Sequence, residues 1–282
     1  MIRVSRPFSW ANTALPCLAT ALLVGRPDGR VLLAVLYFTL PYNLLLYGVN
    51  DLFDYDSDRR NPRKGGLVEG GLVTAERRSR LVALLLSTNV PPLLALVWLG
   101  GPGAAVALTL AVLAALAYSA PPLRLKERPG LDSATSALHF VLPAICGGIL
   151  AGAAPAALPG RFLLAFLVWG MASHALGAIQ DVEFDSAAGM GSIATVLGRR
   201  ATAAAAAVLY LAAGLLTASA GRLALWAALV VLPYAALAVL ALHRPRTAWH
   251  GFLALNLVAG AYLTRVLMQD RGLVHDPLAF PG

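Results

Sequence analysis

Charged side chains are scarce. Asp, Glu, Lys and Arg make up 13% of the 282 residues, where a soluble domain carries about a quarter. That shortage excludes an ordinary water-soluble globule. Cysteine is scarcer still. Cys17 and Cys146 each lie inside an apolar block, with neither a metal-binding spacing nor a disulfide framework, which leaves buried apolar thiols as their reading. A small-residue cleavage signal is also missing. The first apolar block begins near Pro7 and leads straight into others, so no signal peptide is expected.

What the chain has in abundance is apolar sequence. Hydrophobic residues make up 59% and the mean hydropathy is +0.72. They fall in blocks of about 17–22 residues, enough to cross a roughly 30 Å hydrocarbon core as helices. In lipid each segment must satisfy its own backbone, so helices are the sensible reading. The sequence predicts nine spans, near residues 8–24, 31–49, 80–100, 103–118, 134–152, 161–179, 202–218, 222–242 and 249–269. Gly, Pro or charge marks the breaks, as in Gly100-Gly101-Pro102-Gly103 and His243-Arg244-Pro245-Arg246. No soluble domain fits between the spans, so residues 1–282 read as one all-α, polytopic membrane domain.

The net charge of +8 does not indicate nucleic acid, because the basic residues sit in loops between spans. The N-terminus and loops 50–80, 119–133, 180–201 and 243–248 hold 16 of the 22 Lys and Arg. The positive-inside rule puts this face in the cytoplasm and the C-terminus on the opposite side. Eleven of the 14 acids lie on the same face, seven of them within 51–58 and 181–185. Acids concentrated at two span ends suggest a site.

The first cluster is Asn50-Asp51-Leu52-Phe53-Asp54-Tyr55-Asp56-Ser57-Asp58. If the helix continues, Asn50, Asp54 and Asp58 share one face. Like charges at that spacing repel, so a cation is expected to compensate. Hard oxygen donors suit Mg²⁺, which takes one or two carboxylates and completes its shell with water and substrate phosphates. The second cluster is Gln180-Asp181-Val182-Glu183-Phe184-Asp185. Asp181 and Asp185 repeat the four-residue spacing, and His174, Gly177 and Gln180 fall near the same face. Two such sets across a cavity would hold Mg²⁺ ions with a diphosphate between them and neutralise the leaving group. Tyr118-Ser119-Ala120-Pro121-Pro122-Leu123-Arg124-Leu125-Lys126 ends a span on that face. Arg124, Lys126 and Arg128 could meet phosphate oxygens. Arg6, Arg63 and Lys64 are either phosphate ligands or topology residues. Polar residues within spans face the bundle interior: a helix-packing hydrogen bond is the reading for His139, and cavity lining or helix bridging for Asn12 and Asn43. Gly147, Gly148, Gly152 and Gly170 fit close helix packing.

These motifs resemble the UbiA superfamily of membrane prenyltransferases. Its N-x-x-x-D-x-x-x-D pattern matches Asn50, Asp54 and Asp58. Its D-x-x-x-D-x-x-x-(D/G) pattern matches Asp181, Asp185 and Gly189. Its Tyr-Ser run with prolines and basic residues matches Tyr118, Ser119, Arg124 and Lys126. The resemblance implies nine helices around a central cavity under cytoplasmic cap loops, Mg²⁺ as cofactor, and an isoprenyl diphosphate donor. The metal ligands implied are Asn50, Asp54, Asp58, Asp181 and Asp185. The implied diphosphate ligands are Arg124, Lys126, Arg63, Lys64, Arg6 and Ser119. Tyr118 would face the allylic cation. Stretches such as Ser5-Arg6-Pro7, Asn61-Pro62-Arg63-Lys64-Gly65-Gly66 and Trp169-Gly170-Met171-Ala172-Ser173 look like the lycopene elongase branch. That narrower likeness implies a dimethylallyl diphosphate donor, lycopene as acceptor and membrane lipid as surroundings. A quinone precursor, haem or a sugar phosphate remains an alternative acceptor, since the Asp motifs serve the donor. A CDP-alcohol phosphotransferase would need Gly where Tyr55 stands. A transporter would place its acids near the midplane rather than at span ends.

Overall fold

The structure is a computed structural model that describes residues 2–55, 73–187, 189–219 and 222–274, with backbone alone for Ala75 and residues 222–229. Every regular element in these residues is helical. A short turn at Pro7–Ser9 leads into α1 (Ala11–Val24). Then come α2 (Gly29–Thr39), α3 (Pro41–Phe53), α4 (Arg78–Ser119), α5 (Leu131–Leu150), α6 (Gly160–Ala178), α7 (Val182–Ala187), α8 (Ile193–Ala218), α9 (Arg222–Leu240) and α10 (Pro245–Asp270). Among the described residues, seven helical stretches are long and apolar enough to cross a membrane. Their outer surface is apolar too. Trp98 is 84% exposed and Leu215 74% exposed, which suits contact with lipid rather than water.

Helices α2 and α3 form one bent span. Pro41 cannot donate a backbone hydrogen bond, so the turn before it loses helical pairing. Buried polar side chains meet the freed carbonyls. Asn43 Nδ2 donates to Phe38 O at 2.8 Å and Thr39 O at 2.9 Å, and Thr13 Oγ1 donates to Phe38 O at 2.6 Å. Asn43 Nδ2 also donates to Thr13 Oγ1 at 2.8 Å. Asn43 therefore ties α1 to the bend, the helix-bridging reading of that residue.

Helix α4 is 42 residues long, which would span about 63 Å if straight. It is not straight. Gly101 has φ 67° and ψ −164°, in the left-handed region that glycine tolerates. Both ends of α4 return to the C-terminal end of α3. Leu85 lies against Gly48, where a Cβ would fall 2.9 Å from Leu85 Cδ2. Ser119 Oγ donates to Asn50 Oδ1 at 3.1 Å. The chain therefore doubles back at the Gly100–Gly103 break, as the sequence predicts.

The helices pack in a ring: α1 on α5, α5 on α6, α6 on α8, α8 on α9, α9 on α10, and α10 back on α1. One apolar core joins α1 to α5, with Cys17, Tyr37, Phe38, Tyr42 and Cys146 inside. A second joins α6, α8, α9 and α10 around Tyr210, Tyr234 and Phe252. The two thiols are free and buried, in keeping with packing residues. At the α1–α5 crossing a Cβ on Gly147 would lie 2.0 Å from Cys17 O, so two backbones touch where glycine alone fits. The largest departure from the expected spans is the start of α8. α8 starts at Ile193, well before residue 202, because Ser192 and Thr195 form a reciprocal cap and Gly198 (φ 75°) lets the first turn bend away.

Candidate active site

Three chain segments converge at one end of the ring around a cavity of about 320 Å³. The end of α3 brings Asn50 and Asp54. The loop after α4 brings Lys126 and Glu127, with Tyr118 at the end of α4. The turn between α6 and α7 brings Gln180 and Asp181, and α7 brings Asp185. Arg6 and Asn12 add the N-terminal side. Phe140, Trp249, Phe252 and Leu253 complete the lining. The cavity is thus acidic and basic toward the helix ends and aromatic between the helices.

The Asn50–Asp54 and Asp181–Asp185 pairs keep a helix-like backbone hydrogen bond, although neither pair lies wholly within one regular helix. α3 stops at Phe53, and Asp54 caps it with φ −107° and ψ 6°, its N–H donating to Asn50 O at 3.0 Å. The regular helix is therefore interrupted at Asp54. In the other motif, α6 ends at Ala178, and Asp185 N donates to Asp181 O at 2.8 Å from α7. Gly189 has φ 69°, which accounts for glycine at the third motif position. Asp58, Arg63 and Lys64 lie outside the described residues.

The expected cations meet the first motif. Lys126 Nζ pairs with Asp54 Oδ2 and donates to Asn50 Oδ1 at 3.3 Å. Arg124 Nη2 lies 3.4 Å from Asp54 Oδ1 and also pairs with Glu127. Arg6 Nη2 donates to the buried carboxylate of Asp51 at 3.3 Å, with its guanidinium 4.3 Å from the Tyr47 ring centroid. Arg6 and Arg124 both hold left-handed backbones, φ 48° and 39°, at a cost of about 1–2 kcal/mol each. Strain of this kind collects at functional sites. Burial lowers the Lys126 ammonium pKa from 10.5, against the pull of Asp54. The hydrogen bond from Arg124 holds the Glu127 carboxyl below 4.5. The loops also touch. A Cβ on Gly191 would lie 2.7 Å from Glu127 O, so the segment after the second motif rests on the basic loop.

Other residues of the site carry little sequence signal. Tyr118 Oη lies 3.1 Å from His174 Nε2, and His174 Nδ1 lies 3.0 Å from Ser133 Oγ. The His139 ring stands edge-on to Tyr118 at 5.1 Å. Asp132 accepts from the backbone N–H of Gly130, Ser133 and Ile193 at 2.8, 2.7 and 2.6 Å. It thereby joins the start of α5 to the start of α8. Asn256 Nδ2 donates to Asn12 Oδ1 at 3.2 Å, bridging α10 to α1. Trp249 stands against α6 because Gly177 leaves room, a Cβ there falling 3.0 Å from Trp249 Cζ3. The sequence singles out Tyr118, His174, His139 and Asn12 of this group, but not Asp132, Ser133, Trp249 or Asn256.

Asn50, Asp54, Asp181 and Asp185 line one cavity with oxygen donors alone, the chemistry Mg²⁺ prefers. Among the described residues, no three His, Cys, Asp or Glu side chains gather into a preformed metal centre. Separated oxygen pairs fit a metal shared with substrate phosphates, which needs one or two protein carboxylates, rather than a closed protein cage.

A ring of apolar helices with two acidic motifs at one end defines a multi-pass membrane protein with a polar-ended cavity. The UbiA prenyltransferase family model matches residues 13–271, and the chain belongs to that family. It is 42% identical over 272 residues to a lycopene elongase/hydratase of Corynebacterium glutamicum, covering 94% of each chain. It is 44% identical over 275 residues to the C(50) beta-cyclic carotenoids biosynthesis protein LbtBC of Dietzia sp. (strain CQ4). That match covers 94% of this chain, which spans 63% of the Dietzia protein's length. The fold is similar to a UbiA homologue of Archaeoglobus fulgidus. With GPP and Mg²⁺ bound, that structure has a TM-score of 0.72 at 20% identity, covering 94% of this chain and 98% of the other. With DMAPP and Mg²⁺ bound, the score is 0.69 at 20% identity, covering 97% and 99%.

Proposed function

We propose that this chain transfers a dimethylallyl group from its diphosphate to the terminal alkene of lycopene, in a Mg²⁺-dependent step of C50 carotenoid formation. One observation carries the reading: Asn50, Asp54, Asp181 and Asp185 share a cavity whose other wall is Phe140, Trp249 and Phe252. Oxygen donors there suit a metal–diphosphate, and aromatic faces suit an allylic cation. The names of the Corynebacterium and Dietzia relatives support the carotenoid acceptor, and the DMAPP-bound homologue supports the donor.

Asn50, Asp54, Asp58, Asp181 and Asp185 would hold Mg²⁺. When bound it neutralises the diphosphate and favours C–O cleavage. Arg124, Lys126 and Ser119 hold the phosphate oxygens, and Arg6, with Arg63 and Lys64 by the family resemblance, would assist. Tyr118 and the cavity aromatics face the allylic cation and keep bulk water from it. The alkene of lycopene attacks the cation, forms the new C–C bond and leaves a tertiary cation on the acceptor. A long polyene exceeds a cavity of this size, so only its reacting end enters, and the rest lies in the membrane. The nine-span count takes α4 as two spans and adds α9. The Lys and Arg distribution puts the motifs and N-terminus in the cytoplasm, with the C-terminus opposite.

Membranes containing the protein, given dimethylallyl diphosphate and lycopene, are expected to release diphosphate and form a prenylated carotenoid only with Mg²⁺. Equal product in the presence of a chelator removes the metal from the reading. Prenylation of a quinone precursor in place of lycopene reassigns the acceptor.

A further inference from the structure

Quenching the tertiary cation on the acceptor must release one proton. If water is captured, the proton comes from that water as the C–O bond forms. If an alkene forms instead, a neighbouring C–H bond breaks and its electron pair makes the C=C bond. The motif carboxylates sit beside the donor, at the ends of α3 and α6. A different polar group lines the same cavity.

Tyr118 and His174 both line the cavity, and Tyr118 Oη is 3.1 Å from His174 Nε2. On its other side the imidazole meets Ser133 Oγ at 3.0 Å. Either neutral tautomer satisfies both contacts, because each hydroxyl can donate or accept. In the tautomer that proton transfer requires, Nε2 accepts from the tyrosine hydroxyl and Nδ1–H donates to the serine. In that tautomer the tyrosine oxygen keeps a lone pair for the cavity. The carboxylate of Asp132, next to Ser133 in sequence, is fixed by three backbone N–H groups. An oriented carboxylate therefore stands beside the serine that the imidazole meets. Ionisable groups at membrane depth are costly and mark functional paths. A hydrogen bond between α4 and α6 would serve packing equally well with two neutral, non-basic side chains.

We infer that Tyr118 and His174 form the proton acceptor that quenches the acceptor cation. This inference rests on the prenyl-transfer reading above. Tyr118 Oη takes the proton from water or from the C–H bond while passing its own proton to His174 Nε2. The products are the neutral carotenoid, a neutral tyrosine and an imidazolium. The imidazolium returns its proton to the released diphosphate. Tyr118 is the group that meets the substrate, and His174 acts through it.

The test is the ratio of prenylated product to diphosphate released, measured for the wild type, Tyr118→Phe and His174→Gln. Phe keeps the aromatic face and lacks the hydroxyl. Gln accepts the tyrosine hydrogen bond and cannot take the proton, so it preserves a packing role while removing the chemical one. The ratio is expected to fall by about 10²-fold in each variant, the scale of general base catalysis. If one variant fails to insert, the other decides. An unchanged ratio in a folded variant overturns the inference, whether both rates stay high or fall together. A wild type that releases diphosphate without forming any prenylated lycopene sinks the acceptor reading instead. The pair is then judged on donor alone, where isoprene should fall relative to dimethylallyl alcohol in both variants, and no change rejects it.

Discussion

Lys126 and Asp54 stand 72 residues apart in sequence and meet as an ion pair at the mouth of the cavity. Their side chains are 12% and 11% exposed, so the contact is largely shielded from water, where electrostatic interactions are stronger. The same ammonium reaches Asn50 Oδ1. One lysine thus joins the loop after α4 to both described residues of the first motif. Lys126→Met is expected to lower diphosphate release by about 10²-fold, the scale of losing one preorganised donor. Lys126→Arg should recover part of it, because a planar fork does not reproduce a point charge. A Met variant at full rate would remove Lys126 from the site.

The second motif is expected to be as necessary as the first. Asp181→Ala should bring diphosphate release below detection while the protein still inserts and elutes as a folded species in detergent. Electrostatic stabilisation of the departing diphosphate is expected to contribute most of the rate enhancement here. A variant that retains more than about a tenth of the rate therefore contradicts a role for Asp181 in holding the metal–diphosphate.

The α1–α5 crossing makes a stability prediction with a control. Gly147→Ala places a methyl 2.0 Å from Cys17 O, and the neighbour is backbone that has no rotamer to yield. A loss of about 1–3 kcal/mol is expected from overpacking, read as a lower unfolding temperature in detergent. Gly160→Ala meets nothing within 4 Å and should leave that temperature unchanged. Equal behaviour of the two variants would contradict the close crossing.

Arg124 holds the Glu127 carboxyl below its ordinary 4.5. Glu127 therefore binds fewer protons folded than unfolded. Its stabilising contribution is complete above pH 4.5 and is lost as pH falls through the folded value. The pair is partly exposed, so the effect is modest, about 1 kcal/mol or less. Unfolding temperatures of the wild type and Glu127→Gln should differ at pH 7 and converge as pH falls below 4.5 and through the folded value. A gap that widens on acidification contradicts the sign.

Much of this architecture was legible in sequence because a membrane imposes few solutions. Apolar blocks of span length, the Gly100–Gly103 break and the paired Asp motifs all carry strong local signals, and the reversal of α4 follows the second of them. Where the helices stop inside the motifs was not legible. Periodicity continues through Asp54, whereas the folded chain ends its regular helix at Phe53. The partners of Lys126 and Arg124 were not legible either, since an ion pair across 72 residues leaves no local pattern. Nor was the Tyr118–His174–Ser133 chain. Single polar residues on three helices look like ordinary packing groups until the ring brings them together.

The most direct test of the central claim is the pigment profile of a lycopene-accumulating bacterium that expresses the chain, analysed by liquid chromatography and mass spectrometry beside an Asp54→Ala control. The account predicts pigments heavier than lycopene by one or two five-carbon units, absent from the control. Unchanged lycopene, with the protein present in the membrane, would contradict lycopene as acceptor. Heavier pigments in the Asp54→Ala strain would contradict the role of the first motif.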